Sequence, residues 1–168
     1  MGESARIGSI LGLYYFSIVL AVLTVAFSLA VSFGASTLWT SEVLVIFTLI
    51  QAIVVVVKTK QQRKKPVDPA MPTPGAVPGL VTIFLITLLW LVPLAFNALI
   101  LAGGAIAVQN GARGVGVGVI LGLVGAEEAT IVLQIITLLV IFFKGIAERR
   151  EAQRAKVNAG REAGALKA

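Results

Sequence analysis

The stretch Val115–Phe143 reads VGVGVILGLVGAEEATIVLQIITLLVIFF and decides the fold class. The hydrocarbon core of a bilayer is about 30 Å thick, and a helix needs about 20 apolar residues to cross it. Three more apolar stretches, Ile7–Phe33, Glu42–Val57 and Leu80–Val108, precede this one. The sequence therefore predicts an all-α, integral, multi-pass membrane protein with four transmembrane helices.

The composition excludes several classes of function. The chain is 58% hydrophobic and 13% charged, whereas a soluble globular domain has about 25% charged residues. The absence of cysteine and histidine excludes disulfides, thiolate chemistry and the usual ligand sets of zinc, haem and iron–sulfur clusters. The sequence has no Ser/His/Asp set and no dinucleotide-binding fingerprint. We therefore expect no enzyme activity, no cofactor and no metal.

Basic residues are concentrated on one side of the predicted helices. Only Arg113 lies between the third and fourth stretches. Those after the second stretch are Lys58, Lys60, Arg63, Lys64 and Lys65, and those after the fourth begin with Lys144, Arg149 and Arg150. Because Lys and Arg are enriched in cytoplasmic loops, we expect both termini in the cytoplasm and the four helices as two antiparallel hairpins.

The same patterns divide the chain into segments. We predict spans at 7–33, 37–57, 80–108 and 115–144, separated by an outer turn (34–36), a cytoplasmic linker (58–79) and an outer loop (109–114), with cytoplasmic ends at 1–6 and 145–168. The linker is basic and then Pro-rich, so its second half is predicted to be extended. In the basic tail we expect helix over Ala147–Val157 and disorder from Asn158. Whether 114–126 is helix or outer loop is left open.

Two carboxylates, Glu127 and Glu128, interrupt the fourth stretch. A charged side chain at the bilayer centre costs a few kcal/mol, so such a residue indicates a function or a partner. Counting about 20 residues back from Lys144 places the pair near the outer interface, whereas a helix beginning at Gly114 places it near the middle. The pair is therefore interpreted either as boundary or packing carboxylates, or as the proton or cation site of an oligomeric channel or transporter.

Polar residues recur at helical spacing in every span. In the fourth span Glu127, Thr130, Gln134 and Thr137 share one helix face,. Weaker stripes are Ser17, Thr24 and Ser28 in the first span, Thr48 and Gln51 in the second, and Thr87, Trp90 and Asn97 in the third. Because polar groups in lipid pair across helices, we expect these faces to point into a four-helix bundle.

Glycines mark a further face of the fourth span. Gly114, Gly118 and Gly122 form a GxxxGxxxG pattern, which lets another helix approach closely. The predicted partner within the chain is the pair Gly103 and Gly104 on the third span. Self-association, or docking on a larger protein, is the alternative.

The basic segments favour lipid over nucleic acid. Aromatic platforms for bases are missing from them, and each basic residue near an anionic leaflet contributes about 1 kcal/mol of attraction. The predicted lipid contacts are Lys58, Lys60, Arg63, Lys64, Lys65, Lys144, Arg149 and Arg150. We expect membrane lipids, other membrane proteins or a second copy as partners, no nucleic acid, and the plasma membrane as the location.

The third span carries a family resemblance. Phe96–Val108 reads FNALILAGGAIAV and resembles the third helix of fungal MARVEL-type proteins, which also have four spans, cytoplasmic termini and short outer loops. The resemblance implies a role in membrane organisation, trafficking or microdomain assembly. This chain lacks the cysteines expected near the third and fourth helices of that family, and no functional residue is carried over. The function predicted is non-enzymatic organisation of membrane domains or partner proteins. The alternatives are a small accessory subunit of a larger membrane complex, and a channel or transporter.

Single cysteines introduced into this cysteine-free chain should report the orientation. Gln61→Cys and Ala159→Cys should react with an impermeant maleimide from the cytoplasmic side only, and Ser36→Cys and Asn110→Cys from the outside only, because the basic residues set the topology. Labelling in sealed, oriented vesicles measures this. Reaction of position 61 from the outside would overturn the orientation.

Overall fold

The computed structural model describes residues 2–32, 39–64, 77–111 and 114–165, and its regular structure over these residues is entirely α-helical. The helices are α1 (Gly2–Ser32), α2 (Thr40–Lys64), α3 (Val77–Leu89), α4 (Leu91–Gln109) and α5 (Val115–Ala165). Four segments are long and apolar enough to cross a membrane: Gly8–Ala30, Thr40–Lys60, Pro78–Gln109 and Gly116–Glu151. The chain is therefore a multi-pass, four-span membrane protein by length and composition.

Several helices run past the predicted ends of the spans. α2 continues through the basic residues to Lys64, and α5 continues to Ala165, through the segment from Asn158 that we expected to be disordered. Ala, Arg, Glu and Lys are good helix formers, so the polar tail extends the helix. The outer turn predicted at 34–36 and the linker from 65 to 76 lie outside the described residues.

The third span, predicted over 80–108, is one candidate membrane-crossing segment, Pro78–Gln109, in which the helix is interrupted at a single residue between α3 and α4. Pro93 has no N–H to donate to the carbonyl of Leu89, and its ring crowds that carbonyl. The helix is interrupted at Trp90, and a long bond of 3.4 Å from the Leu94 N–H to the Trp90 carbonyl restarts it. The Trp90 side chain is fully buried, and its indole N–H donates to the Thr48 hydroxyl of α2 over 3.1 Å.

The predicted outer loop 109–114 begins with a tight helix end. Gly111 has φ 94° and donates its N–H to the Val108 carbonyl over 3.1 Å. This left-handed conformation favours glycine, which commonly ends helices in this way. Residues 112 and 113 are not described, and α5 begins at Val115, so the residues from 115 onwards are helix rather than loop.

α1 and α5 pack along most of the bundle. Their contacts join Ser9 to Lys144, Ser17 to Gln134 and Thr24 to Thr130, so rising numbers on α1 meet falling numbers on α5. The two helices are therefore antiparallel. The apolar core around them includes Tyr14, Ala21, Val45, Ala52, Ile83, Ile131, Leu138 and Ile141.

The indole bond between α4 and α2 should be measurable as a coupling energy. Trp90→Phe and Thr48→Val each remove it, and in a double-mutant cycle their effects on the free energy of unfolding should couple by about 0.6 kcal/mol and at most about 1.7 kcal/mol. Unfolding in mixed detergent micelles measures this. Thr82→Val is the control, because the exposed Thr82 hydroxyl bonds the Pro78 carbonyl of its own helix. Equal coupling with the control would contradict the assignment.

Candidate functional site

The polar residues of α5 that share a face all point into the bundle. Glu127 and Gln134 are fully buried, and Thr130 and Thr137 nearly so. The Thr24 hydroxyl of α1 donates to the Thr130 hydroxyl over 3.0 Å. One helical turn further along α5, the Gln134 amide donates to the Ser17 hydroxyl over 2.6 Å. The polar stripes of α1 and α5 therefore meet, whereas Thr137 donates to the Leu133 carbonyl of its own helix.

A carboxylate at the start of α2 enters the same interior. Glu42, in the first turn of α2, is half-buried. Ser28 donates to one of its carboxylate oxygens over 2.6 Å, and Ser41 donates to the other over 3.0 Å. Both oxygens of Glu42 therefore accept a hydroxyl hydrogen bond where α1 ends and α2 begins.

Glu127 lies beside this cluster without a hydrogen bond of its own. Its carboxylate faces the Asn97 amide of α4 and the Ser28 hydroxyl of α1, and it interacts electrostatically with Glu42. Glu127 and Asn97 are both 0% exposed. Neither carboxylate oxygen of Glu127 and neither amide atom of Asn97 has a hydrogen-bond partner. Four polar atoms from α4 and α5 are thus buried together and unsatisfied, which is rare in proteins and requires an explanation.

Glu128 points to a different environment from its neighbour. It is only half-buried, although one of its carboxylate oxygens is buried without a hydrogen-bond partner. The structure therefore separates the two adjacent carboxylates: Glu127 belongs to the interior, and Glu128 to the edge of the bundle.

The α5 glycines do not pack on Gly103 and Gly104 as predicted: Gly104 is closely packed, but against Leu121. A Cβ added to Gly104 would clash with a methyl group of Leu121, so α5 packs closely against α4 there. Gly103, Gly118 and Gly122 have no neighbour within 4 Å of such an atom. Gly114 precedes α5 with φ 156° and is not part of the helix. The glycine face of α5 is thus left open instead of packing on Gly103.

Those predicted lipid-contact residues whose side chains the structure describes lie at the opposite end of the bundle from Glu127. Lys60 sits 5.7 Å from the centre of the Tyr15 ring, and Lys144 donates to Ser9. Lys58, Arg149 and Arg150 are exposed. Arg63 and Lys64 belong to the end of α2, with side chains outside the description, and Lys65 lies outside the described residues.

Sequence reasoning missed how these residues combine. Asn97 was placed in a stripe of the third span and Glu42 at the outer end of the second, but neither was linked to Glu127. The available signal was the position of each residue along its helix. Ser28 lies four residues before the end of α1, and Glu42 lies in the first turn of α2, so the predicted hairpin would place both at the same end. Counting inward from Lys144 places Glu127 near that same end.

Comparison of the chain with protein-family models, with curated proteins and with solved structures gives no match. The interpretation of the site therefore depends on its own geometry.

Removing the Ser28 hydroxyl should destabilise the bundle. Ser28→Ala takes one short hydrogen bond from the Glu42 carboxylate, and the loss should be about 1–3 kcal/mol in the free energy of unfolding. Thermal or detergent-induced unfolding measures it. Thr59→Val is the matched control, because the buried Thr59 hydroxyl bonds only the Val55 carbonyl of its own helix. If both variants lose the same stability, the hydrogen bond between the helices is not the cause.

Proposed function

We propose that this chain is a non-enzymatic tetraspan membrane protein that organises membrane domains or partner proteins through helix packing. In this proposal the spans form two hairpins, and both termini are cytoplasmic. The observation that carries it is an apolar extension of the second hairpin, which α1 and α2 leave uncovered.

This extension, which we call the outer arm, consists of residues 98–109 of α4 and 115–126 of α5, and among its described side chains Val124, next to the bundle, is the one that is fully buried. The contact of Ser28 with Glu42 marks the end of the first hairpin, because α1 ends at Ser32 and α2 begins at Thr40. Asn97 and Glu127 lie at this level. Beyond it each helix of the outer arm continues for about 18 Å, at 1.5 Å per residue.

The outer arm exposes an apolar surface with room for another helix. Leu99 is 70% exposed, Ile106 58% and Val119 54%. Between such side chains on α5, Gly118 and Gly122 face open space. A helix face that combines glycines with apolar side chains lets a second backbone approach closely and gain van der Waals contact. The geometry therefore favours a transmembrane helix of a partner, or of a second copy, as the occupant.

The length of the second hairpin supports the same conclusion. Val115 lies 29 residues before Lys144, which is about 43 Å of helix, against a hydrocarbon core of about 30 Å. If Lys144 marks the inner boundary, the tip of the outer arm extends past the outer one. A span longer than the bilayer tilts, thickens the bilayer locally or gathers other helices. Local thickening and association with other helices gather lipids or proteins around the chain, whereas tilting does not.

Further features agree with this role. The polar stripes of α1 and α5 are used in packing, so they do not line a pore. Basic residues at the other end of the bundle are placed to contact anionic headgroups on the proposed cytoplasmic face. Organisation of membranes is also what the resemblance of Phe96–Val108 to MARVEL-type proteins implies.

Filling the glycine face should disrupt assembly. Gly118→Leu combined with Gly122→Leu should reduce cross-linked oligomers or co-purified membrane proteins at least several-fold, because the side chains keep the partner backbone away. Cross-linking in native membranes, followed by purification in mild detergent, measures this. Gly12→Leu is the control, since Gly12 is also exposed, with open space around it, but lies on α1. Equal effects at all three positions would contradict the proposal.

The purified material also separates the alternatives. Recovery of one large partner at fixed stoichiometry would identify an accessory subunit, whereas homo-oligomers would support an organiser. A carboxylate-dependent proton or cation current in liposomes would replace both with a transporter.

A further inference from the structure

The Glu127 carboxylate is held in the bundle without a counter-charge. It is 0% exposed, and both of its oxygens lack a hydrogen-bond partner. Moving an ionised carboxylate out of water carries a large penalty unless a cation or several hydrogen bonds compensate it. A stable bundle therefore needs a source of positive charge at this position.

The packed helices do not supply that charge from their described side chains. α1 contributes the Ser28 hydroxyl and α4 the Asn97 amide, both uncharged, while the charged groups acting on Glu127 are the carboxylates Glu42 and Glu128. Along α5, Lys144 lies 17 residues away, which is about 25 Å of helix. None of the described residues acts on Glu127 as a counter-charge, which points to a positive charge taken up from solution.

Asn97 gives the second, independent observation. Its amide is also 0% exposed, it faces Glu127, and neither its oxygen nor its nitrogen has a partner. Carboxylate, amide and hydroxyl oxygens are the hard ligands that proteins use for cations such as Ca²⁺ and Mg²⁺. An alkali ion has the same preference for oxygen, and a proton on Glu127 would bond the Asn97 oxygen. Either one pairs an oxygen of Glu127 on α5 with the oxygen of Asn97 on α4, two of the atoms that lack a partner.

We propose that Glu127, Asn97 and Ser28 form a binding site for one monovalent cation, supplied as an alkali ion or as a proton. A single charge fits because Glu127 is the carboxylate of this group with no hydrogen bond at either oxygen. Glu42 accepts hydrogen bonds at both oxygens from Ser28 and Ser41, and Glu128 is only half-buried, at the edge of the bundle. The described residues also contain no group of three or more acidic side chains that could hold a metal ion. The site lies below the outer arm and does not depend on the proposed function.

The unmutated protein in detergent or nanodiscs gives the first test. Its melting temperature is measured from pH 5.5 to 9, with NaCl or KCl exchanged for N-methyl-D-glucamine chloride at constant ionic strength. An alkali ion that binds only the folded bundle raises the melting temperature by a few degrees for each tenfold increase above its dissociation constant. A proton instead gives a melting temperature that falls as pH rises and is the same in all three salts.

Two variants assign the effect to the site. Glu127→Gln keeps the size of the side chain and removes the charge, so the dependence on cation or pH should disappear. Glu128→Gln, at the half-buried neighbour, should retain it. The proposal is overturned if the unmutated protein responds to neither salt identity nor pH, if Glu127→Gln keeps the full response, or if Glu128→Gln abolishes it. Should Glu127→Gln fail to fold, the titrations of the unmutated protein and of Glu128→Gln still decide.

These readouts are separate from those of the outer arm. Cation dependence is a property of the single chain, whereas cross-linking and co-purification report assembly. If the cation-site proposal fails its test, the proposed function is unaffected, and the reverse also holds.

Discussion

The hydrogen bonds between α1 and α5 are the constraint on which the bundle depends. In an apolar solvent the hydrophobic effect does not bring helices together, so packing and polar contacts between helices must do so. Thr24 with Thr130, and Ser17 with Gln134, join the two helices at two levels. Because the polar stripes must face each other, they set the rotation of both helices about their axes. The other helices, α2, α3 and α4, then pack against α1 and α5, whose rotations are fixed by this contact.

Much of this arrangement follows from periodicity. Glu127, Thr130, Gln134 and Thr137 recur every three or four residues, and burial of a polar stripe in a lipid environment is a strong requirement. The four long apolar stretches follow from composition in the same way. Which residues of two helices become neighbours is harder to predict. It depends on how far the helices are shifted relative to each other along their axes, and the sequence of one helix does not determine that shift. For this reason Asn97 and Glu42 could be identified as polar residues in spans but not as neighbours of Glu127.

The hydropathy pattern also did not determine where the helices end. Hydropathy marks where a helix can lie in lipid, and it says little about where the helix stops in water. α5 therefore runs to Ala165 on helix-forming residues alone,. In contrast, the break at Trp90 has a local cause in Pro93, and burial of the indole against Thr48 compensates the interrupted backbone. The open glycine face was also unexpected, since the sequence favoured a contact inside the chain and only Gly104 makes one.

The continuity of α5 has a mechanical consequence. It is a single helix of 51 residues, about 76 Å long, with the outer arm at one end and the basic tail at the other. The third span has a break that can absorb a bend, whereas α5 has none. A tilt or rotation forced on the outer arm by a neighbouring helix is thus carried along one axis to Arg149, Arg150 and the tail beyond them. The apolar, glycine-containing end of α5 and its basic end are therefore joined by one continuous helix.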